Sequence, residues 1–172
     1  HLFVGTDFGK DSMTDSGYPR MVKVWQRGTE LDKAKTILSV DKKSVYSFGH
    51  RFTTDKGNFD LLVEATTFWT NKYYQLIDGK KIALNLQQSA VINDAMDGQL
   101  VISLQEDFEF NGKKYLQGAV WLIEPGLLRG ERGNITQLIK PDSKKVIMEG
   151  GITVTSKGIL AVVLEDVKSR VY

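Results

Sequence analysis

An all-β fold of repeated antiparallel units is what this sequence predicts, and three observations predict it. Apolar residues seldom recur at the three-and-four spacing of an amphipathic helix, and only Leu31 to Thr36 offers a helical turn. Short runs of Val, Ile, Leu, Tyr, Phe and Thr dominate instead, bounded by Gly, Asp, Asn and Ser. One strand-pair pattern also recurs four times. Its openings are Leu2–Asp7, Leu61–Thr66, Leu100–Gln105 and Leu160–Glu165. The first three lead through a polar loop into a second strand that stops at glycine: Met21–Trp25 before Gly28, Tyr73–Ile77 before Gly79, and Ala119–Ile123 before Gly126. The fourth reaches only Arg170-Val171-Tyr172, so the pattern reads as part of a longer repeat.

Taken in order, strands are predicted near 2–8, 20–27, 35–40, 44–53, 59–68, 72–77, 81–86, 99–106, 117–123, 135–139, 144–150 and 158–165. Asp78-Gly79 and Asn111-Gly112 predict tight hairpins, because both residue types tolerate positive φ. Asp97-Gly98 and Lys157-Gly158 precede the third and fourth openings. Pro19, Pro125 and Pro141 all fall at loops or strand ends, where a missing N–H costs little. Openings about 40 to 60 residues apart suit a four-stranded antiparallel blade. The fold expected is a partial β-propeller of about three four-stranded blades plus the first strands of another. Its units run roughly 1–56, 57–97, 98–156 and 157–172. A β-sandwich also has short strands and regular turns, but it does not require the repeat.

Hydrophobic residues at 41% and charged residues at 26% of 172 suit a globular domain with a substantial core. The 23 basic and 21 acidic residues are intermixed and leave a net charge of +2, which argues against a nucleic-acid or membrane-surface binder. With no cysteine, disulfides, thiolate metal sites and cysteine nucleophiles are excluded. No apolar run approaches the roughly 20 residues of a membrane-spanning helix.

The segment Phe3-Val4-Gly5-Thr6-Asp7-Phe8-Gly9, then Ser12, Thr14, Ser16-Gly17-Tyr18-Pro19-Arg20, then Val22-Lys23-Val24-Trp25-Gln26-Arg27-Gly28-Thr29, resembles one blade of bacterial prolyl-oligopeptidase-like proteins. Gly118–Trp121 and Leu164–Tyr172 are similar to later blades of that family. The resemblance implies a seven-bladed propeller capping an α/β-hydrolase domain with a Ser-His-Asp triad. The catalytic domain would lie mainly C-terminal to this stretch, and the cap would admit short peptides. It implies a bacterial parent whose peptide substrate and hydrolase domain are the partners of this piece; the compartment is unknown, cytoplasm and periplasm both being open. It also implies that the piece itself is not catalytic.

The residues carry no catalytic signature of their own. A serine hydrolase of this class needs a Gly-x-Ser-x-Gly elbow, and none occurs. Ser12 and Ser16 lie in a polar loop, and the histidines are His1 and His50, the latter expected on an outer strand. Asp7-Phe8-Gly9 imitates a kinase tripeptide without the motifs that accompany it. Asp7, Asp11 and Asp15 fail the calcium-loop spacing and read as a solvated loop. Gly126, Gly130 and Gly133 lack the lysine-hydroxyl pair of a phosphate loop and read, with Arg129, Glu131 and Arg132, as a mobile excursion. Hence no catalytic, cofactor-binding or metal-binding residue is assigned, and no cofactor is called for.

Trp25 and Trp121, with Tyr73 or Tyr74, occupy matching strand positions and read as core between blades. Trp69 falls in a turn and is the better candidate for a surface contact. Asn134-Ile135-Thr136 matches a glycosylation sequon, which matters only in a eukaryotic secretory setting. Lys23, Glu64 and Glu106 are candidates to border a channel. The function expected is substrate gating, by exclusion and by shielding from water. The alternative is a self-contained β-repeat module that binds a protein or peptide without catalysis. Exposed strand edges would favour self-association.

Overall fold

The computed structural model describes residues 1–140, 142 and 144–172. The first seven strands are β1 (Leu2–Val4), β2 (Met21–Trp25), β3 (Lys35–Ser39), β4 (Tyr46–Thr54), β5 (Gly57–Ala65), β6 (Asn71–Ile77) and β7 (Lys80–Ala83). Then come β8 (Val91–Met96), β9 (Gln99–Ser103), β10 (Phe108–Phe110), β11 (Lys113–Tyr115), β12 (Val120–Ile123) and β13 (Ile135–Ile139). The last are β14 (Lys145–Thr155), β15 (Gly158–Glu165) and β16 (Lys168–Val171). A 3-10 turn at Leu31–Lys33 and a helical turn, α1 (Pro125–Leu128), are the helical segments among the described residues.

These strands form antiparallel sheets of three or four members, in the order β1-β2-β3, β4-β5-β6-β7, β13-β12-β9-β8 and β14-β15-β16. The hairpin β10-β11 stands apart as a two-stranded insert. The fold is therefore all-β, with the meandering sheets of a partial β-propeller.

Contacts divide the chain into two compact units. One comprises His1–Phe52 and Asn58–Gln88, the other Thr53–Gly57 and Ser89–Tyr172. In the first unit, Val22, Leu38 and Val40 of the β1-β2-β3 layer pack with Leu62 of β5, flanked by Tyr74 and Leu76. In the second, Val101, Val120 and Leu122 pack with Ile152 of β14. Each unit thus stacks one sheet face on another, which removes apolar side chains from water at about 25 cal/mol per Å2.

The turns follow the predicted chemistry. Asp78 and Gly79 have φ of 49° and 74°, and Asn111 and Gly112 have 50° and 71°, the paired left-handed conformation of tight hairpins. The β15-β16 turn reaches the same conformation with Asp166 (φ 48°) and Val167 (φ 65°). A β-branched residue is strained there because its Cβ crowds the backbone. Val167 is 89% exposed and makes no core contact that would offset the strain. Val167→Gly is expected to stabilise the protein by about 0.5 to 1 kcal/mol, seen as a rise of roughly 2 °C in the melting temperature.

The repeat begins one strand earlier than the apolar runs suggest. Leu61–Ala65, Leu100–Ser103 and Leu160–Leu164 lie in β5, β9 and β15, each the second strand of its sheet in chain order. β4, β8 and β14 precede them in the same sheets, so sheet boundaries fall near 40–45, 84–90 and 140–144 instead of 57, 98 and 157. A second strand is flanked by hydrogen-bonded neighbours on both sides, which makes its run the most apolar. The sequence pattern does not mark β8, because Asn93 and Asp94 interrupt its apolar alternation. Its backbone kinks there, with a register shift between Ile92 and Asp94.

β14 continues past its predicted end at 150 through a bulge. Gly151 is required there, since a Cβ would stand 2.7 Å from the Met148 carbonyl oxygen and 2.9 Å from that of Val162. The last strand starts at Lys168, two residues before the expected Arg170. Pro125 opens α1 instead of ending a strand, a position that suits its missing N–H. Pro141 lies outside the described residues.

Candidate functional site

The loop between β1 and β2 holds most of the sequence candidates, and its side chains are committed to folding it. Ser12 is buried, and its Oγ accepts from the Phe8 N–H at 2.8 Å. The single hydroxyl proton lies between Asp7 Oδ1 at 2.9 Å and the Gly9 carbonyl at 2.6 Å. Arg20 closes the loop, donating to the carbonyls of Val40 (2.9 Å) and Asp11 (2.8 Å). Asp11 pairs with Lys42, while Lys23 Nζ sits 4.0 Å from the centre of the Phe8 ring. The Asp7 and Asp11 carboxylates are engaged separately, and no cluster of three possible metal ligands forms among the described residues. Ser16 is exposed in the turn that follows.

The Gly9 N–H and then the Ser12 hydroxyl pull the Asp7 carboxyl below its ordinary pKa; the hydrogen bond and charge of Lys42 do the same for Asp11. A lowered folded-state pKa gives stability above the ordinary carboxylate value and loses it as pH falls through the lowered one. Ser12→Ala is expected to cost about 1 to 2 kcal/mol near neutral pH, because the Phe8 N–H loses its acceptor. It is also expected to shrink the loss of stability on acidification, measured by urea unfolding across the acid range.

His50 is exposed on β4, its ring edge-on to Phe52 with centroids 4.4 Å apart. No serine is brought to it by any hydrogen bond among the described residues. His1 is tied to the Arg51–Asp60 ion pair: Arg51 Nη2 lies 2.8 Å from His1 Nε2, and because arginine only donates, that nitrogen is the acceptor.

Glu64 is turned inward. Its Oε1 accepts from Ser44 Oγ at 2.9 Å and lies 3.5 Å from Lys72 Nζ, while Oε2 accepts from the Tyr74 hydroxyl at 3.1 Å. Burial first, then the Glu64 charge and hydrogen bond, raise the Tyr74 pKa above its ordinary value. The pattern could have flagged this cluster, because a lone Glu inside Leu61–Ala65 needs partners when buried. Glu106 stays exposed and accepts from Ser89 at 3.0 Å.

The glycine-rich segment at 126–133 is a folded turn and not a loose excursion. Leu128 is buried beneath α1, and Arg129 clasps Glu131 through Nε (2.8 Å) and Nη2 (2.9 Å). The Asn134 amide donates to Glu124 at 3.0 Å. Of the matched aromatics, Trp121 is buried edge-on against Tyr115 at 4.8 Å. Trp25 is half-buried and donates to the Thr29 carbonyl at 2.9 Å, so it caps its own loop more than it fills a core.

Two surfaces among the described residues are open to binding a ligand, a cleft and an exposed turn. In the second unit, a cleft of about 450 Å3 is lined by Asn93, Ser103, Gln105 and Gln117 beside Val146 and Met148. Asn93 Nδ2 donates to Ser103 Oγ at 3.1 Å, giving the cleft an ordered polar wall. In the first unit, the β5-β6 turn exposes Phe68 (66%) and Trp69 (77%). Threonines hold that tip: Thr67 Oγ1 accepts from the N–H groups of Trp69 and Thr70, both at 3.1 Å, and Thr66 and Thr70 hydroxyls meet at 2.8 Å. Such surfaces recognise ligands by hydrogen bonding and apolar contact.

The repeated antiparallel sheets have the all-β architecture of a partial β-propeller-like fold. The chain is similar to a solved post-proline cleaving enzyme from Rickettsia typhi, with a TM-score of 0.85 and 19% sequence identity. The match covers 98% of this chain and 26% of that one, so the chain spans about a quarter of its structural neighbour. No family model and no curated protein matches it.

Proposed function

We propose that this chain is the substrate-gating, propeller portion of a serine peptidase of the prolyl-oligopeptidase type. The observation that carries the reading is the fold likeness over nearly the whole chain to an enzyme that cleaves after proline. The loop from Gly5 to Arg20 supports it as well, since the residues resembling that family are those that fold the loop. In this reading the sheets restrict which peptides reach a catalytic domain elsewhere in the parent. They contribute exclusion of bulky chains and of water, and no nucleophile.

The test extends the reading frame past Tyr172 and assays the longer protein. A Gly-x-Ser-x-Gly elbow with a downstream Asp and His is expected, together with faster cleavage of short proline-containing peptides than of long unfolded chains. Removing residues 1–172 should abolish that size preference. Equal rates on short and long substrates before removal would refute gating. A longer protein without the elbow would favour the second reading, a binding module without hydrolysis. The exposed Phe68-Trp69 tip favours that alternative.

A further inference from the structure

Asn93 is the extra residue of a bulge in β8: Ile92 faces Ile102 and Asp94 faces Val101 across the ladder, with Asn93 left between them. A bulge re-aims the side chain of such a residue, often beside a binding site. Asn93 Nδ2 donates to the Val91 carbonyl and to Ser103 Oγ, both at 3.1 Å. Only the nitrogen of a side-chain amide can donate to a carbonyl, so Oδ1 is fixed on the opposite corner of the group. The described residues place no donor on Oδ1. Ser103 is buried, and its Oγ accepts from Asn93, while its own proton meets no acceptor among the described residues. Asn93 and Ser103 thus present one free acceptor and one free donor as neighbours. Both line the cleft of about 450 Å3 in the second unit.

We infer that this cleft binds a short, extended, uncharged peptide through the backbone of one residue. In an extended chain the N–H and C=O of one residue point the same way, as they do when residues exchange both bonds in an antiparallel ladder. The peptide N–H donates to Asn93 Oδ1, and the carbonyl of the same residue accepts from the Ser103 hydroxyl. Beside this pair Leu116 (48%) and Met148 (45%) stand exposed in the cleft wall and receive an apolar side chain. The ionic groups at the rim are engaged. Lys145 Nζ lies 3.6 Å from Glu165 Oε1, and Asp142 accepts from the Lys144 N–H at 2.9 Å. A charged ligand therefore finds no free counter-charge among the described lining residues. The volume falls within the about 300 to 1,000 Å3 usual for small-ligand sites. Two neutral hydrogen bonds and one apolar contact hold a peptide weakly, so that it can leave again. The inference adds a holding site to the gating reading and rests on that reading only for the peptide's being a substrate.

Titration of N-acetyl-leucine methylamide into the 172-residue chain, followed by proton–nitrogen correlation NMR, tests it. Saturable shifts are expected at the Asn93 side-chain amide and at the backbone of Ser103 and Gln117, with a Kd of about 1 to 10 mM. The analogue with oxygen in place of the leucine N–H leaves Asn93 Oδ1 without its donor and should bind about tenfold more weakly. Ser103→Ala removes the donor to the peptide carbonyl and should weaken binding about fivefold. Leu116→Ser changes an exposed side chain, so the fold is kept, and it should weaken binding about threefold. No saturable shift overturns the inference, as does equal binding of the oxygen analogue or undiminished binding in Leu116→Ser. Isovaleramide binding as tightly as the blocked leucine also overturns it, because the site would then take a side-chain carboxamide. Failure here with the size preference of the longer protein intact strikes the cleft alone. Binding here without that preference strikes the gating reading alone.

Discussion

Glu64→Ala is expected to destabilise the protein by about 3 kcal/mol, as measured by urea unfolding at neutral pH. Three donors point at this carboxylate: the buried Ser44 hydroxyl, the Tyr74 hydroxyl and the Lys72 ammonium. Removing it leaves two hydroxyls without an acceptor and an ammonium without its counter-charge, and opens a void behind β5. Glu64→Gln keeps the shape and one acceptor, so about half the loss is expected. Tyr74 supplies a second readout. Its pKa is raised by burial and by the Glu64 charge, so Glu64→Gln should lower it toward the ordinary phenol value without reaching it, because the burial remains. In linkage terms, a raised folded-state pKa stabilises the wild type below the unfolded phenol pKa and loses that contribution as pH rises through the folded value. The alkaline decline in stability should therefore be shallower in the glutamine variant. A Tyr74 absorbance titration identical in the two proteins would show that the carboxylate does not face the phenol.

What the sequence made legible was local. Asp78-Gly79 and Asn111-Gly112 specified their turns because positive φ at two successive positions is costly for other residues. The apolar runs marked β5, β9 and β15 because strands flanked on both sides are apolar without alternation. The first strand of each sheet was harder to read. In β8 the Asp94 side chain accepts from the Ala95 N–H at 2.8 Å and the Val154 N–H at 3.3 Å, so a polar residue works inside the strand as a backbone partner. The bulge at Gly150-Gly151 reads as a strand end, because the glycine that permits a bulge also punctuates a turn. Candidate sites followed the same division. Ser12 and Asp7 could be placed in one loop from sequence, but their hydrogen bond could not. The cleft beside Asn93 joins strands far apart in the chain, and no local pattern announces it.

Leu100→Ala is expected to cost about 3 kcal/mol, within the range of 2 to 5 for a truncated buried leucine. Leu100 is 0% exposed on β9, between Ala95 of β8 and Ile123 of β12. Truncation removes its transfer free energy and leaves a void, because two hydrogen-bonded neighbours prevent β9 from closing on the space. The size of the loss tests the sheet order itself. If β9 were the first strand of its unit, as its apolar run suggests, it would lie at a sheet edge where a neighbour can shift to fill the gap. The cost would then fall toward 1 kcal/mol. Leu62→Ala makes the matching test in the first unit, where Leu62 meets Val22, Leu38 and Val40 across two sheets. Val146→Ala provides the contrast: its side chain is exposed on β14, and the change should stay within about 0.5 kcal/mol. A large penalty at Leu100 with a negligible one at Val146 requires a central β9 with neighbours on both sides and an exposed Val146 on β14.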